Sequence, residues 1–410
     1  MIDRRTALGS IVATMLGSGA ARAQGKPLRI GVLNDQSSFY ADSGGLGGVV
    51  AVRMAVEDFG GTVLGRRIEI LSADHQNKAD IASAIARKWF DADGVEVIVD
   101  LPNTATAAAA QQIGKERGKI TLVTGAGGTA LISNLCSPTS VQWTYSTYAT
   151  AKAIVAPVLA AGGDSWFFIT ADYVGGIGLE DGAKRFILAG GGKVVGSTRH
   201  PVGTTDYASF ILQAIASGAK VVAMASAGQD MQNVVQQAVE FGLGRDGKQT
   251  LVATAAFVTD IHALGLPVAQ GLRVPASFYW DLNDGSRAWS KRFFAQVKRM
   301  PTMLQAANYC AISHYLAAVR TSGTTDGAPV MTAMRAVPVN DFMTANGTIR
   351  ADGYLMRDMH LFEVKKPEES HSEWDLYKQV GNVNAAEAAF PLSEGQSERV
   401  NDFDTPGLVI

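Results

Sequence analysis

The stretch EVIVDLPNTATAAAAQQIGKERGKITLVT, residues 96–124, runs from a β-rich segment through an alanine-rich helical segment into a second β-rich segment. Glu96–Leu101 and Ile120–Thr124 are short apolar runs, and Thr104–Arg117 between them has helical length and spacing. Two strands joined by a helix of that size predict a parallel, doubly wound sheet. Working outward, the same unit recurs. Arg29–Leu33 and Ile68–Ala73 read as strands and Val49–Asp58 as a helix. Asp80–Phe90 reads as another, with Ile81, Ile85 and Trp89 on one face.

The pattern pauses at Val141–Tyr145 and restarts. Strands are expected at Ser165–Thr170, Lys193–Arg199, Val221–Ala225, Gln249–Ala253 and Leu272–Ala276. Helices are expected near Gly178–Ala189, Tyr207–Ser217 and Gln229–Phe241. After Tyr279-Trp280 come helical segments at Ser286–Arg299, Thr302–Thr321 and Ala328–Val337, then β runs around Gly347–Arg350 and Tyr354–Val364. The fold class is therefore α/β, with two Rossmann-like halves in series and a chain that crosses back between them. Residues 393–410 read as a polar tail.

Residues 1–23 have a different character. Arg4-Arg5, a weakly apolar run from Ala7 to Gly19, and Ala21-Arg22-Ala23 form a charged region, an apolar region and a small-x-small cleavage site. That is a signal peptide, cut after about Ala23, and it directs the body out of the cytoplasm. The paired arginines followed by Leu8 also suit a twin-arginine leader, although Asp3 stands where Ser or Thr is usual. Cleavage takes the formal charge from −2 to −4, since three arginines and one aspartate leave. Such a body has no electrostatic footprint for nucleic acid. Past the leader no apolar run approaches the ~20 residues of a spanning helix. Cys136 and Cys310 are the two cysteines, read as buried thiols rather than a disulfide.

Catalytic and cofactor readings fail on context. Gly125-Ala126-Gly127-Gly128-Thr129-Ala130 matches G-x-G-x-x-A, but it follows the fourth strand rather than the first, and no acid near position 150 would hold a ribose. There is no G-x-S-x-G and no H-E-x-x-H, and the six histidines lack metal-ligand spacing. No catalytic residue, metal or cofactor is expected. What remains are strand-to-helix turns rich in glycine and hydroxyl residues. In Leu101-Pro102-Asn103-Thr104, Asn103 or Thr104 can cap the following helix, leaving N–H groups that favour a carboxylate. Trp143, Tyr145 and Tyr148 cluster where the first half ends, and Tyr279-Trp280 where the second ends. Aromatic residues at both crossings would line an interlobe cleft for a small molecule, or else pack beneath its floor.

The residues resemble the periplasmic solute-binding proteins of the branched-chain amino-acid type that feed ABC importers. The resemblance rests on Ile30-Gly31-Val32-Leu33, Tyr40-Ala41-Asp42-Ser43-Gly44, Val63-Leu64-Gly65-Arg66-Arg67-Ile68-Glu69, Asp74-His75-Gln76-Asn77-Lys78, Asp172-Tyr173, Gly176-x-Gly178 and Thr205-Asp206-Tyr207, in that order. It implies a two-lobed, monomeric clamp: residues 25–143 plus 281–345 in one lobe, 144–280 plus 346–392 in the other. A solute binds between the lobes, the hinge closes, and the closed form docks on a membrane permease with its ATPase. The site residues carried over are Tyr40, Asn103, Thr104, Gly125, Ala126, Gly127, Trp143, Tyr145, Tyr173, Gly175, Ala255 and Tyr279.

Three positions depart from the amino-acid binders. Gly127 stands for a Thr, Gly175 for a Tyr, and the segment Thr254-Ala255-Ala256-Phe257 lacks the acid that pairs a ligand ammonium. A buried ammonium without a partner costs several kcal/mol. The expected solute is therefore a small aromatic or hydrophobic carboxylate without an amino group, with the two glycines making room. Asp260 is the one acid a shifted loop could bring in. An amino-acid or amide binder, a sensory module that docks on a receptor, and an exported enzyme remain the alternatives.

Overall fold

The computed structural model describes residues 25–245 and 247–395, so the leader and residues 396–410 of the tail lie outside the described residues. Two separate sheets carry the fold. The first contains β1 (Leu28–Asn34), β2 (Thr62–Val63), β3 (Arg66–Asp74), β4 (Val95–Asp100), β5 (Ile120–Val123) and β6 (Ser140–Gln142), in the order β2-β3-β1-β4-β5-β6. All its pairings are parallel except β2 with β3. Helices α1 (Gly45–Asp58), α2 (Ala79–Asp91) and α3 (Thr104–Glu116) cover it.

The second sheet begins after α4 (Thr147–Ala160), a helix that the apolar periodicity does not announce. Its strands are β7 (Ser165–Ala171), β8 (Lys193–His200), β9 (Val221–Ala225), β10 (Thr250–Ala253) and β11 (Arg273–Ala276), with α5 (Val174–Ala189), α6 (Ala208–Ala216), α7 (Gly228–Glu240), α8 (Val258–Leu264) and α9 (Leu266–Ala269) between them. The chain then leaves this sheet. Helices α10 (Asp284–Val297) and α11 (Met303–Ser322) pack against α1 on the first sheet, followed by α12 (Gly327–Ala336). After the hairpin β12 (Thr348–Ile349) and β13 (Leu355–Met356), the chain returns as β14 (Met359–Val364) and β15 (Tyr377–Val383). These two are antiparallel and complete the order β15-β14-β11-β10-β9-β7-β8.

Strands covered on both faces must be apolar throughout. Leu28, Ile30, Val32 and Leu33 of β1 and Val95, Val97, Ile98 and Val99 of β4 are all fully buried. On α2 the buried stripe is Ala82, Ala86, Trp89 and Phe90, whereas Ile81 and Ile85 are only half-buried. The small alanines let the helix sit close enough for the Trp89 ring to lie over Gly31, where a β-carbon would approach it to 2.5 Å. Cys136 and Cys310 are both buried and form no disulfide.

Candidate functional site

Loops at the carboxyl ends of the parallel strands of the two sheets meet, as Phe39 on Gly228 shows, at the position where open α/β sheets bind ligands. On the first sheet, Asp35 fixes the loop after β1. Its Oδ1 accepts from Ser38 N at 2.9 Å and its Oδ2 from Tyr40 N at 2.8 Å, so one buried carboxylate orders the turn that presents Phe39 and Tyr40. The next loop opens with Asp100 at φ +90° and Leu101 at φ +61°, two adjacent non-glycine residues in a conformation side chains avoid. Asp100 is held there by Asn34 Nδ2 and Asn308 Nδ2, both donating to its Oδ2 at 2.9 Å, and by its carbonyl, which accepts from Thr124 N and Gly125 N. Burial pushes its carboxyl up to about 6, opposed by the bonds from Asn308 and Asn34.

This turn feeds α3. Asn103 is the cap: its Oδ1 accepts from Ala105 N at 2.7 Å. Thr104 follows as the first helical residue, half-buried, with Gly128 packed against it so closely that a β-carbon there would lie 2.4 Å from its methyl carbon. Gly125 is buried against Pro102, and Ala126 is buried with its carbonyl accepting from Gln142 Nε2.

The glycines at 127 and 175 do not leave open space. A β-carbon on Gly127 would meet Tyr145 Cε2 at 2.2 Å, and one on Gly175 would meet Tyr173 Cε2 at 2.5 Å. Each missing side chain is replaced by a neighbouring phenol ring. Tyr145 donates its hydroxyl to the Gly125 carbonyl at 3.2 Å. Tyr40, from the opposite sheet, stands beside Tyr173, and burial raises its pKa well above the usual phenol value, reinforced by Tyr173 and Tyr145. Tyr145 and Tyr173 are raised for the same first reason. Three neutral phenols thus converge, from the loop after β1, the segment after β6 and the loop after β7. Beside them Phe39 stacks edge-on to Tyr40 at 5.1 Å and rests against Gly228, the first residue of α7, where a β-carbon would be 3.2 Å from its ring. The two sheets therefore touch across the cleft at Phe39–Gly228 and Tyr40–Tyr173.

The remaining expected site residues lie differently. Trp143 is fully buried in the main core, with its ring 5.6 Å from that of His314. Tyr148 packs on Phe186 and Phe390. Ala255 is half-buried in the turn after β10. Tyr279 is buried and donates its hydroxyl to the Trp374 carbonyl at 2.8 Å while accepting from Leu376 N at 2.9 Å. It borders a cavity of about 10 Å³ shared with Phe257, Met303 and Tyr377. Asp260 is turned inward: it accepts from Phe257 N and Gln232 Nε2, both at 2.8 Å, and burial raises its pKa to about 6. It caps α8. A separate cavity of about 440 Å³ lies among the connecting segments, bordered by Leu282, Asn283, Met343, Met356 and Arg357, away from the phenols.

Sequence reasoning missed Asp35 and Ser226. An Asp followed by Ser37-Ser38 was a legible turn signal for the first. Ser226, the residue after β9, is fully buried and its hydroxyl has no hydrogen-bond partner. Among the described residues no group of His, Cys, Asp and Glu is placed to hold a metal ion, and no helix is long and apolar enough to cross a membrane.

Known proteins share this fold. A periplasmic binding protein from Burkholderia mallei is 43% identical, with a TM-score of 0.85 over 90% of this chain and 97% of that one. A branched chain amino acid ABC transporter periplasmic ligand-binding protein from Burkholderia xenovorans is 40% identical, with a TM-score of 0.84 over 90% of this chain and 98% of that one. A solute binding protein of an ABC transporter from R. palustris, in complex with benzoate, shares the fold at 20% identity, with a TM-score of 0.77 over 88% and 97% of the two chains. The family model of the periplasmic binding proteins matches residues 27–370, and the chain belongs to that family.

Proposed function

We propose that the chain is the extracytoplasmic solute-binding component of an ABC uptake system, and that its solute is a small aromatic carboxylate without an amino group. The lobes divide at the three crossings, with 25–143 plus 281–345 facing 144–280 plus 346–392, and a permease with its ATPase receives the closed form. The observation that carries the solute class is the convergence of Tyr40, Tyr145 and Tyr173 over glycines 127 and 175. Neutral phenols donate hydrogen bonds to a carboxylate and offer ring faces to an aromatic body. Thr104, at the start of α3, adds a hydroxyl beside a helix N-terminus.

The absence of an ammonium partner supports the same reading. The turn Thr254-Ala255-Ala256-Phe257 carries no acid, and Asp260 is committed to capping α8. The R. palustris relative, crystallised with benzoate, indicates that this fold accommodates such a molecule. The Burkholderia xenovorans relative supports a second reading, an amino-acid binder with a rearranged ammonium site.

A thermal-shift screen of the mature protein against benzoate, 4-hydroxybenzoate, leucine and valine separates the two. Stabilisation by an aromatic acid and none by leucine is the expected outcome. Stabilisation by leucine or valine alone would sink the aromatic assignment.

A further inference from the structure

We infer that the second lobe recognises an electronegative group on the solute, so that the solute carries two acceptor substituents at opposite ends rather than one. This rests on the proposed reading of the cleft and concerns the end of the solute remote from Thr104.

Three observations meet at one place. First, α7, a helix of 13 residues, begins without a side-chain cap: its cap position is Ala227. Its first residue, Gly228, lies against Phe39 of the opposite lobe, which places this N-terminus on the interlobe face. Second, α5, of 16 residues, also begins without a side-chain cap, at Tyr173. Its third residue, Gly176, is packed so tightly between β7 and β9 that a β-carbon would lie 2.2 Å from the Ala171 carbonyl and 2.9 Å from the Ala225 carbonyl. The two helix starts are therefore neighbours. Third, Ser226 stands between Ala225 and the cap of α7, fully buried, with an unpartnered hydroxyl.

Each element is a hydrogen-bond donor or a positive dipole end. Two acids stand by these helix starts: Asp172, just before the cap of α5, pairs with Arg199 at 3.7 Å, and Asp230, in the first turn of α7, is turned to the adjoining loop, accepting from Gly203 N at 3.0 Å and from the Tyr207 hydroxyl at 3.3 Å. The net polarity of this corner is that of a socket for a lone pair or a negative charge. A buried hydroxyl left without a partner is unfavourable, and an acceptor delivered by the solute on closure satisfies it. A para-substituted aromatic acid, with a phenolic oxygen or a second carboxylate opposite the first, has this chemistry. An unsubstituted benzoate would leave the Ser226 hydroxyl and these helix starts without an acceptor.

The test is isothermal titration of the mature protein and its Ser226→Ala variant with benzoate, 4-hydroxybenzoate and terephthalate. The wild type is expected to bind at least one para-substituted acid about tenfold or more tighter than benzoate. Ser226→Ala is expected to lose most of that preference, to keep its benzoate affinity within about twofold, and to melt no lower than the wild type without ligand. Equal loss for benzoate and the substituted acids would make Ser226 a packing residue and overturn the inference. So would a wild type indifferent to the para substituent. Both results leave the aromatic-acid reading standing. Failure of all three acids to bind, with binding of leucine, overturns that reading and this inference together.

Discussion

Two glycine-to-alanine substitutions of identical chemistry should move stability in opposite directions. At Gly127 the added β-carbon would sit 2.2 Å from Tyr145 Cε2 and 2.8 Å from its Cδ2 and Cζ, so the ring must leave its place. Gly127 is outside the left-handed region, which makes the clash steric rather than conformational. Overpacking of this kind costs about 1–3 kcal/mol. Displacing the ring also breaks the Tyr145–Gly125 hydrogen bond, worth about 1 kcal/mol. Against this stands about 0.4–1 kcal/mol gained because alanine narrows the unfolded ensemble. The net expectation is a loss of roughly 1–3 kcal/mol. Gly178, on the exposed side of α5, has no atom within 4 Å of where a β-carbon would stand, so Gly178→Ala collects only the gain, up to about 1 kcal/mol. Chemical denaturation followed by tryptophan fluorescence reads both. If Tyr145 also contacts the solute, Gly127→Ala should weaken an aromatic acid by a further three- to tenfold, roughly one aromatic contact. A Gly127→Ala protein as stable as wild type, with full affinity, would show that Tyr145 does not occupy the space the glycine leaves.

Three further outcomes follow from the polar groups. Asp35→Ala removes the acceptor that orders Ser38 and Tyr40 and should cost about 1–3 kcal/mol by leaving those donors unpaired, while weakening solute binding through the freed loop; unchanged affinity would mean that the loop's conformation is irrelevant to the site. Tyr279→Phe should lower stability by about 1–2 kcal/mol through loss of the Trp374 and Leu376 bonds, yet change solute affinity less than twofold, and a tenfold affinity loss would reassign Tyr279 to direct contact. Asp100 has a folded pKa of about 6 against the ordinary 3.8, so its contribution favours the folded state below about pH 4 and is lost as pH rises through 6. Asp100→Asn should therefore gain stability relative to wild type between pH 4 and pH 7, by up to the order of 3 kcal/mol, and a difference independent of pH would place the carboxyl at an ordinary value.

The alternation of strands and helices was legible because both-face burial forces short, continuous apolar runs, as in β1, β4 and β9. Several elements escaped, and two of them, α4 and β15, show why. Helix α4, Thr147–Ala160, is apolar nearly all round and carries Pro157 inside it, so it has neither a polar face nor a clean helical composition. Strand β15, Tyr377–Val383, is an edge strand with Gln379 and Val380 exposed and Gly381 inside, and its pairing with β14 comes from tertiary contact. In the cleft, the sequence identified which positions lack side chains but not what fills them. A glycine reads as space, and only the fold reveals that Tyr145 and Tyr173 lie over Gly127 and Gly175. Trp143 illustrates the converse: an aromatic at a crossing can belong wholly to the core.

The phenol cluster also bears on why closure would depend on solute. Between the loop after β1 and the loops of the second sheet, the contacts include Phe39 on Gly228 and Tyr40 beside Tyr173. An aromatic contact or a neutral polar contact of this kind contributes about 1 kcal/mol, comparable with the ordering of the loops that make it. Driving a clamp from mostly open to mostly closed requires about 5.5 kcal/mol of differential affinity. On the proposed reading, a carboxylate replaces the neutral polar contact by charge-assisted bonds, each about 1 kcal/mol stronger. The N-termini of α3, α5 and α7 add about 0.3–1 kcal/mol each, and ring contacts with Tyr145 and Tyr173 about 0.5–1.5 kcal/mol each. Those increments reach the required size only when a single molecule touches both lobes at once. An aliphatic amino acid supplies the carboxylate terms, forfeits the ring terms, and must bury an ammonium beside acids already engaged elsewhere, Asp260 in capping α8 and Asp230 with Gly203 and Tyr207. Selection between the two solute classes is then made at closure, by which of them can hold the lobes together.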